Sequence, residues 1–320
     1  MKFVAIALLF CAAVLAEELG SHPLVIEKGD DKKEAAYRKY VGEREYHLPF
    51  KTRISEPFKE GQTIHAVGRI AKDPTRIDFN FHKGAEKNSD MPLHLSIRFD
   101  EGLFSGKIVY NNFKNNNWTA EEQRISSPYK AEEAFDLRVR LLGGTYKVFG
   151  NRRDIGTFQQ RENLDGVDHV SINGDLSSLR VFHYGGTVFP SPYTAIAKLT
   201  PGKRLDISGM PTGKKVNINL YRGNMDSALQ FSIRYNEGVI VRNSMVNNEW
   251  GQEEREGGFP LAKNEIFDIS IFNEAYSFQI FINGQRFCTY AHRTQNPADI
   301  ETLEVDGDVE LHTVTINTTI

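Results

Sequence analysis

The feature that most constrains the fold is an internal repeat that covers most of the 320 residues. The two tryptophans, Trp118 and Trp250, lie 132 positions apart in closely similar surroundings. Two further pairs of segments keep the same offset: FDLRVR with FDISIF, and TYKVFGNRRDIGTFQQR with SFQIFINGQRFCTYAHR. Solenoid repeats have only about 20–45 residues. We therefore interpret this repeat as the duplication of a whole domain.

The repeat divides the chain into two domains, at 45–186 and 189–320, preceded by a charged segment at 17–44. In each copy, short runs alternate between apolar and polar side chains, and turn-forming residues separate them. We expect three dipeptides to form hairpin turns: Asn173-Gly174, Asn283-Gly284 and Asp306-Gly307. About ten short strands in each copy predict an all-β fold, in which two antiparallel sheets pack as a β-sandwich.

Residues 1–16 have the order of a secretory signal peptide. A basic start precedes an apolar run, and small residues stand at the −3 and −1 positions of a cleavage site after Ala16. We therefore predict a secreted protein; the alternative is a disordered or membrane-tethering N-terminus. In an exported chain, N-x-[ST] sequons predict N-glycosylation at Asn117 and Asn317.

The composition excludes several classes of function. With 39 Lys and Arg against 42 Asp and Glu, the net charge of −3 leaves no broad cationic surface for nucleic acid or anionic membranes. The nine His and two Cys lack metal-ligand spacing, and the common catalytic motifs are missing from the sequence. We predict a protein that is not an enzyme, with no cofactor, no metal, no nucleic-acid partner and no membrane insertion.

Polar side chains share one face of a predicted strand in each copy. If the leucines and isoleucine of LHLSIRF point into the core, then His94, Ser96 and Arg98 project together from the other face. The second copy presents three residues in the same way: Gln230, Ser232 and Arg234. Each copy therefore has hydrogen-bonding groups on one open sheet face.

The next segment of each copy adds an asparagine, a tryptophan and a glutamate. These residues are Asn111, Trp118 and Glu121 in the first copy, and Asn243, Trp250 and Glu253 in the second. A pyranose needs such a mixture, because its C–H face can lie on an aromatic ring while its hydroxyls require fixed donors and acceptors. Arg supplies a rigid fork of donors, and Glu can accept from a hydroxyl and from that Arg.

These residues resemble the galectin family, whose pattern is H-x-N-x-R, then V-x-N, then W-G-x-E-x-R across adjacent strands. The resemblance covers both domains and is greatest to nematode tandem-repeat galectins. It implies two galectin-like jelly-roll domains that bind β-galactosides on glycoproteins or glycolipids. The alternative is a galectin-fold protein interaction module, with weak or lost sugar binding in one or both domains.

In the first domain the resemblance implies that His94 and Arg98 bind the axial 4-hydroxyl and the ring oxygen of galactose. It also implies that Asn111 and Glu121 bind the 6-hydroxyl and that Trp118 stacks on the sugar. Three positions depart from the family pattern: Ser96 replaces Asn, Thr119 replaces Gly, and Gln123 replaces the second Arg, with Arg124 one position out of register.

In the second domain Gln230 replaces the family His and Ser232 replaces Asn. Six residues fit the family pattern: Arg234, Asn243, Trp250, Gly251, Glu253 and Arg255. Because Glu253 has two arginine partners and Glu121 has one, we predict that the second domain is the stronger site.

Overall fold

Strands build the whole fold in the computed structural model, which describes residues 37–102, 106–119 and 121–318. These ranges contain twenty-three strands and no helix, so none of their segments is a helix long and apolar enough to cross a membrane. The all-β prediction is confirmed. The predicted signal peptide at 1–16, and the charged segment as far as residue 36, lie outside the described residues.

The first domain is a sandwich of two antiparallel sheets. Its strands are β1 (Glu43–Tyr46), β2 (Phe50–Arg53), β3 (Thr63–Ile70), β4 (Arg76–His82), β5 (Met91–Arg98), β6 (Lys107–Lys114), β7 (Asn117–Trp118), β8 (Gln123–Ser126), β9 (Ala134–Leu142), β10 (Thr145–Gly150), β11 (Arg153–Gln159), β12 (His169–Gly174) and β13 (Leu176–Gly185). The outer sheet has the order β1-β13-β3-β9-β10-β11. The inner sheet has the order β2-β12-β4-β5-β6-β7, and β8 also pairs with β6.

The second domain repeats this plan with longer strands. These are β14 (Tyr193–Ile196), β15 (Lys203–Arg222), β16 (Ser227–Arg234), β17 (Val239–Asn243), β18 (Met245–Val246), β19 (Glu249–Trp250), β20 (Phe267–Asn273), β21 (Ser277–Ile282), β22 (Gln285–Ala291) and β23 (Ile300–Thr318). The long strands β15 and β23 pair along most of their length and belong to both layers. They correspond to β3 with β4, and to β12 with β13, in the first domain.

The alternation predicted for the site strand is confirmed. Leu93, Leu95 and Ile97 of β5 are buried in the core of the first domain, and Leu229 and Phe231 of β16 are buried in that of the second. The intervening polar side chains therefore lie on the opposite face of the sheet. Each domain has its own apolar core, as expected for a duplicated unit.

One of the three predicted hairpins is confirmed and two are wrong. Asn283 and Gly284 both have positive φ, 53° and 74°, and join β21 to β22. Gly307 instead lies inside β23, and Gly174 ends β12 just before β13. Each has a positive φ, and an added Cβ would lie 2.2–2.3 Å from a carbonyl oxygen of the neighbouring strand. Glycine at these points lets the chain pass from one sheet to the other.

Polar side chains of the outer sheet of the first domain bind β20 and β23 of the second domain. Arg138 on β9 is 1% exposed and donates to Asp268 on β20 through both terminal nitrogens, at 2.9 and 2.8 Å. Arg152 reaches the same carboxylate. Arg140, also 1% exposed, donates to Glu310 on β23 at 3.0 Å. Salt bridges of low solvent exposure therefore link the two domains.

Candidate carbohydrate-binding site

The candidate site of each domain lies near one edge of its inner sheet. In the first domain β5 pairs with β6, which sets His94 opposite Asn111. In the second domain the pairing of β16 with β17 sets Gln230 opposite Asn243 in the same way. The short strand with the tryptophan follows at this edge. The structure thus brings the predicted sheet residues together in both domains.

Two arginines and two glutamates form a closed ring in the first domain. Arg98 donates to Glu101 Oε1 at 2.8 Å and to Glu122 Oε1 at 2.9 Å. Arg124 bridges the second oxygens of both glutamates. Arg98 also lies 3.4 Å from the hydroxyl of Ser96. Each charged group therefore has two partners of opposite sign, which fixes its position.

The ring corrects the expected register of the first domain. Glu122, and not Glu121, is the carboxylate that pairs with Arg98, while Glu121 is exposed beside it. Arg124, and not the Gln123 position, supplies the second arginine. The segment from Trp118 to the paired glutamate is one residue longer here than in the second domain. The two domains therefore correspond through the spacing E-x-R, from Glu122 to Arg124 and from Glu253 to Arg255, and not through the distance from the tryptophan.

The second domain contains the same ring. Arg234 donates to Glu253 Oε1 at 3.1 Å and lies 3.5 Å from Glu237 and from the hydroxyl of Ser232. Arg255 donates from Nε to Glu253 Oε2 at 2.8 Å, and its Nη1 lies 3.7 Å from Glu237. The two sites therefore share their charged framework.

The arginines keep the glutamates ionised. Partial burial tends to raise the pKa of Glu122, but hydrogen bonds and charge from Arg98 and Arg124 outweigh it and lower that pKa. The pKa of Glu253 is lowered first by its hydrogen bond from Arg255 and then by Arg234. Both carboxylates can therefore accept hydrogen bonds from a ligand at neutral pH.

Sequence reasoning missed a further arginine in each domain. Arg293 Nη1 donates to Asn243 Oδ1 at 2.8 Å, and Arg161 Nη1 lies 3.5 Å from Asn111 Oδ1. Each guanidinium also lies over a buried tyrosine ring, 5.1–5.2 Å from its centroid. The two arginines are separated by the repeat offset of 132 positions. This shared offset is the sequence signal from which the pair of arginines could have been predicted.

Gly251 and Thr119 occupy equivalent positions beside these arginines. An added Cβ at Gly251 would lie 2.4 Å from Arg293 Nη1, so a larger residue there would displace the guanidinium from Asn243. Thr119 instead places its hydroxyl 2.9 Å from Asn111 Oδ1 and 2.6 Å from Asn112 Oδ1, where Arg161 stands farther away. In both domains the asparagine is held through its side-chain oxygen.

His94 is neutral and has a defined orientation. Its Nδ1 lies 2.5 Å from Asn80 Oδ1, and Arg76 Nη2, which can only donate, lies 3.3 Å from its Nε2. These partners assign the proton to Nδ1. Burial lowers the pKa of His94 to about 4, with Asp78 opposing and Arg76 supporting that shift. Nε2 is therefore the acceptor of this ring at neutral pH.

The two tryptophans are half exposed, at 50% for Trp118 and 52% for Trp250. The Trp118 ring packs against His94 and Phe113, with centroid distances of 4.7 and 5.2 Å. Trp250 pairs with Met245 in a two-stranded ribbon. The rest of each ring surface is open, as stacking on a sugar requires. In the described ranges, no cluster of His, Cys, Asp or Glu is suited to a metal ion.

Replacing Glu122 by glutamine should weaken sugar binding in the first domain about tenfold or more, because two arginines lose a charged partner. Glu121→Gln should leave that affinity within about twofold. The background is Trp250→Ala, which makes Trp118 the single remaining tryptophan, so that its fluorescence reports the first site. Equal losses for both variants would contradict the corrected register.

The fold and the paired sites define a two-domain lectin of the β-sandwich type. The chain belongs to the galactoside-binding lectin family, whose family model matches residues 49–183 and 191–316. This family consists of carbohydrate-binding lectins, which confirms both the resemblance to galectins and the prediction of a non-enzymatic protein.

Relatives of this chain include lectins of similar length. A 32 kDa beta-galactoside-binding lectin of Haemonchus contortus is 41% identical over 270 residues, which cover 82% of this chain and 93% of that protein. Its counterpart from Caenorhabditis elegans is 38% identical over 279 residues, with 85% and 98% covered. Galectin-4 of Sus scrofa is 30% identical over 310 residues, with 84% and 95% covered.

Proposed function

We propose that this protein is a secreted bivalent lectin that binds one β-galactoside in each domain. The observation that carries the proposal is the ring of two arginines and two glutamates, which recurs in both domains beside an exposed tryptophan. A ring of this kind offers donors and acceptors in fixed positions, and the tryptophan offers an apolar surface. The family and the nematode relatives support the same ligand class.

The sugar is proposed to lie beside the tryptophan, over the polar face of the sheet. Its C–H face stacks on Trp118 or Trp250, and its hydroxyls face the charged ring. In the first domain, a sugar hydroxyl takes the place of Arg76 Nη2 as the donor to His94 Nε2, while Arg98 donates to sugar oxygens. In the second domain Gln230 takes the place of the histidine, and its amide can both donate and accept.

The relative strength of the two sites is part of the proposal. The expectation of a stronger second domain depended on a missing second arginine in the first. Arg124 pairs with Glu122 as Arg255 pairs with Glu253, so that difference does not arise. Because the first domain also has the oriented His94, we propose that it binds at least as tightly as the second.

Export and glycosylation remain proposals that rest on the sequence. The acceptor Asn117 is exposed next to Trp118, and Asn317 is exposed near the end of β23. A glycan on Asn117 would stand beside the first sugar site. N-terminal sequencing and mass spectrometry of protein from a eukaryotic secretion host test cleavage after Ala16 and the occupancy of both asparagines.

Titration of the full chain with lactose tests the function. We expect two binding events, of which Trp118→Ala removes one and Trp250→Ala removes the other, because each ring supplies the apolar half of its site. The fold should persist, since both rings are half exposed. Circular dichroism checks that point. Failure of the intact chain to bind lactose or N-acetyllactosamine would favour the protein interaction module.

A further inference from the structure

The open face of each inner sheet continues past the sugar site. In the first domain β5 is followed by β4, β12 and β2; in the second domain β16 is followed by β15, β23 and β14. A glycan longer than a single galactose can cross these strands, each about 4.8 Å from the next. The side chains on this extension therefore contact whatever is attached to the galactose on that side.

The extension of the second domain carries carboxylates. Asn219, opposite Gln230, is paired on its other side with Glu304, and Asn217 is paired with Asp306. Asn219 Nδ2 and the Tyr221 hydroxyl both donate to Glu304 Oε1 at 3.1 Å, and Asn217 Nδ2 lies 3.3 Å from Asp306 Oδ1. These donors are neutral, so they orient the two negative charges without cancelling them. The exposed Lys215, two residues before Asn217 on the same face, leaves one carboxylate in excess.

The titration of Tyr221 reflects these carboxylates. Its pKa is raised to about 12, first by burial and then by the charge and hydrogen bond of Glu304, with a smaller contribution from Asp306. The strip formed by Glu304 and Asp306 therefore has the electrostatic character of an acceptor surface. It suits hydroxyl donors and repels anions.

The extension of the first domain has the opposite character. Ser171 stands opposite Asn80 where the second domain has Glu304, and Asn173 stands where it has Asp306. Beyond Ser171, β2 presents Lys51, which donates to the carbonyl of Ala85 at 2.6 Å and so extends back towards β4. The exposed Arg53 follows on the same face.

Two acidic groups on this face of the first domain have partners. Asp78 accepts from Arg76 Nε through both oxygens, at 2.7 and 3.0 Å. Asp168 contacts His169 Nδ1 and the Gly84 amide, at 2.8 and 2.7 Å, and the positive charge of Arg53 also acts on this carboxylate. Lys51 and Arg53 on β2 thus give this extension a positive character. Their counterparts on β14 of the second domain, Thr194 and Ile196, are neutral, and the negative character there comes from Glu304 and Asp306 on β23.

We propose that the two domains divide galactosides by charge, an inference that rests on the proposed function. The second domain binds neutral glycans and rejects those with an acidic group over β15 and β23, because Glu304 and Asp306 face that group. The first domain accepts acidic glycans, because Ser171 and Asn173 replace these carboxylates. Lys51 stands opposite Ser171 on β2, and Arg53 lies two residues farther along that strand. The acid can be a sulfate or a sialic-acid carboxylate, which share a fixed negative charge.

The test uses the full chain with one site silenced. Trp118→Ala leaves the second site and Trp250→Ala leaves the first, each with one reporter tryptophan. Each chain is titrated with lactose, 3′-sulfated lactose and 3′-sialyllactose. A neutral trisaccharide with a hexose at the same position separates charge from bulk. We expect the second site to bind both acidic ligands about tenfold more weakly than the neutral trisaccharide, and the first site to bind them at least as well.

Charge-neutralising variants sharpen the test. Glu304→Gln with Asp306→Asn should bring the second site within about twofold for acidic and neutral ligands, without changing lactose affinity. Lys51→Met with Arg53→Met should weaken only the acidic ligands at the first site, by about threefold. Asp73→Asn with Glu133→Gln removes two exposed carboxylates elsewhere and should change nothing. High salt should reduce every difference.

The possible outcomes separate this inference from the function beneath it. Binding of lactose at both sites with equal preference for acidic ligands would overturn the charge division alone. The charge division alone would also be overturned if the variant with Glu304→Gln and Asp306→Asn still bound acidic ligands more weakly than neutral ones. Absence of lactose binding by the unmodified chain would overturn the proposed function and the inference together.

Discussion

Replacing Asp268 by alanine should lower the free energy of unfolding by about 3–5 kcal/mol, the largest loss that we expect from a single substitution in this protein. Arg138 is 1% exposed and gives two hydrogen bonds to Asp268. Arg152 reaches the same carboxylate. Without the Asp268 carboxylate, Arg138 would keep only Asp136 as a partner and Arg152 would lose its ion pair, and water could not compensate at so buried a position.

The titration of Asp268 agrees with this role. Burial acts to raise its pKa, but Arg138 and Arg152 outweigh burial and hold the pKa of Asp268 well below its usual range. Its folded-state pKa is therefore depressed, so the stabilisation is present at neutral pH and is lost only as pH falls below about 4.

Urea denaturation of the full chain measures the effect. Asp268→Asn keeps the shape and removes the charge, so it should be destabilising too, by a smaller amount. Asp73→Ala, in an exposed turn, should stay within about 0.5 kcal/mol of the unmodified chain. Because Asp268 links the two domains, its removal should also separate their unfolding into two transitions. An unchanged single transition would contradict the proposed importance of this contact.

The sequence predicted the sheet residues of the site because strand periodicity is a local property. Leu93, Leu95 and Ile97 alternate with polar residues, and burial of one face determines where the others point. The glutamate of the first domain was misassigned for a different reason. Counting from Trp118 assumed loops of equal length, whereas tertiary geometry selects Glu122, the residue that reaches Arg98.

The contact between the domains could not be predicted from the same pattern. In β9 the apolar Phe135, Leu137 and Val139 alternate with polar residues, which indicates a strand with one face in solvent. Arg138 and Arg140 on that polar face are instead buried against the second domain. Alternation of apolar and polar residues shows which face of a strand packs on the core of its own domain. It does not show what covers the other face.

Lowering the pH from 7 to about 4.5 should destabilise the protein by several kcal/mol through its buried histidines. Burial lowers the pKa of His82, His94 and His183 to about 4 in each case. For His183, neighbouring His65 adds to that effect and Asp206 opposes it. The unfolded chain takes up these protons near pH 6.5, whereas the folded protein resists them until about pH 4.

His312 extends the effect to the contact between the domains. It is fully buried, neither ring nitrogen has a hydrogen-bond partner, and Nε2 lies 3.8 Å from Glu310. Burial holds the pKa of His312 well below its usual range, and Arg140, Arg138 and Lys147 act in the same direction while Asp268 opposes them. Protonation would place a further positive charge among these cations.

The sign of the pH effect follows from proton binding. Between about pH 6.5 and 4 the unfolded chain binds more protons than the folded protein, so the free energy of unfolding falls as pH falls. The difference between a pKa of about 6.5 in the unfolded chain and about 4 in the folded protein corresponds to at most about 3 kcal/mol for each histidine. Below about pH 4 the paired carboxylates Asp136 and Asp268, whose pKa values are also depressed, add a second loss.

Urea denaturation at pH 7, 6 and 5 measures the slope, and His312→Leu isolates one contributor. Leucine removes a titrating ring with no hydrogen bond to lose, so this variant should be nearly as stable at pH 7 and lose less stability on acidification. His47→Gln, at an exposed position, should leave the slope unchanged. A free energy of unfolding that stays constant between pH 7 and 5 would show that the buried histidines do not control acid stability, and an unchanged slope in His312→Leu would remove His312 from the explanation.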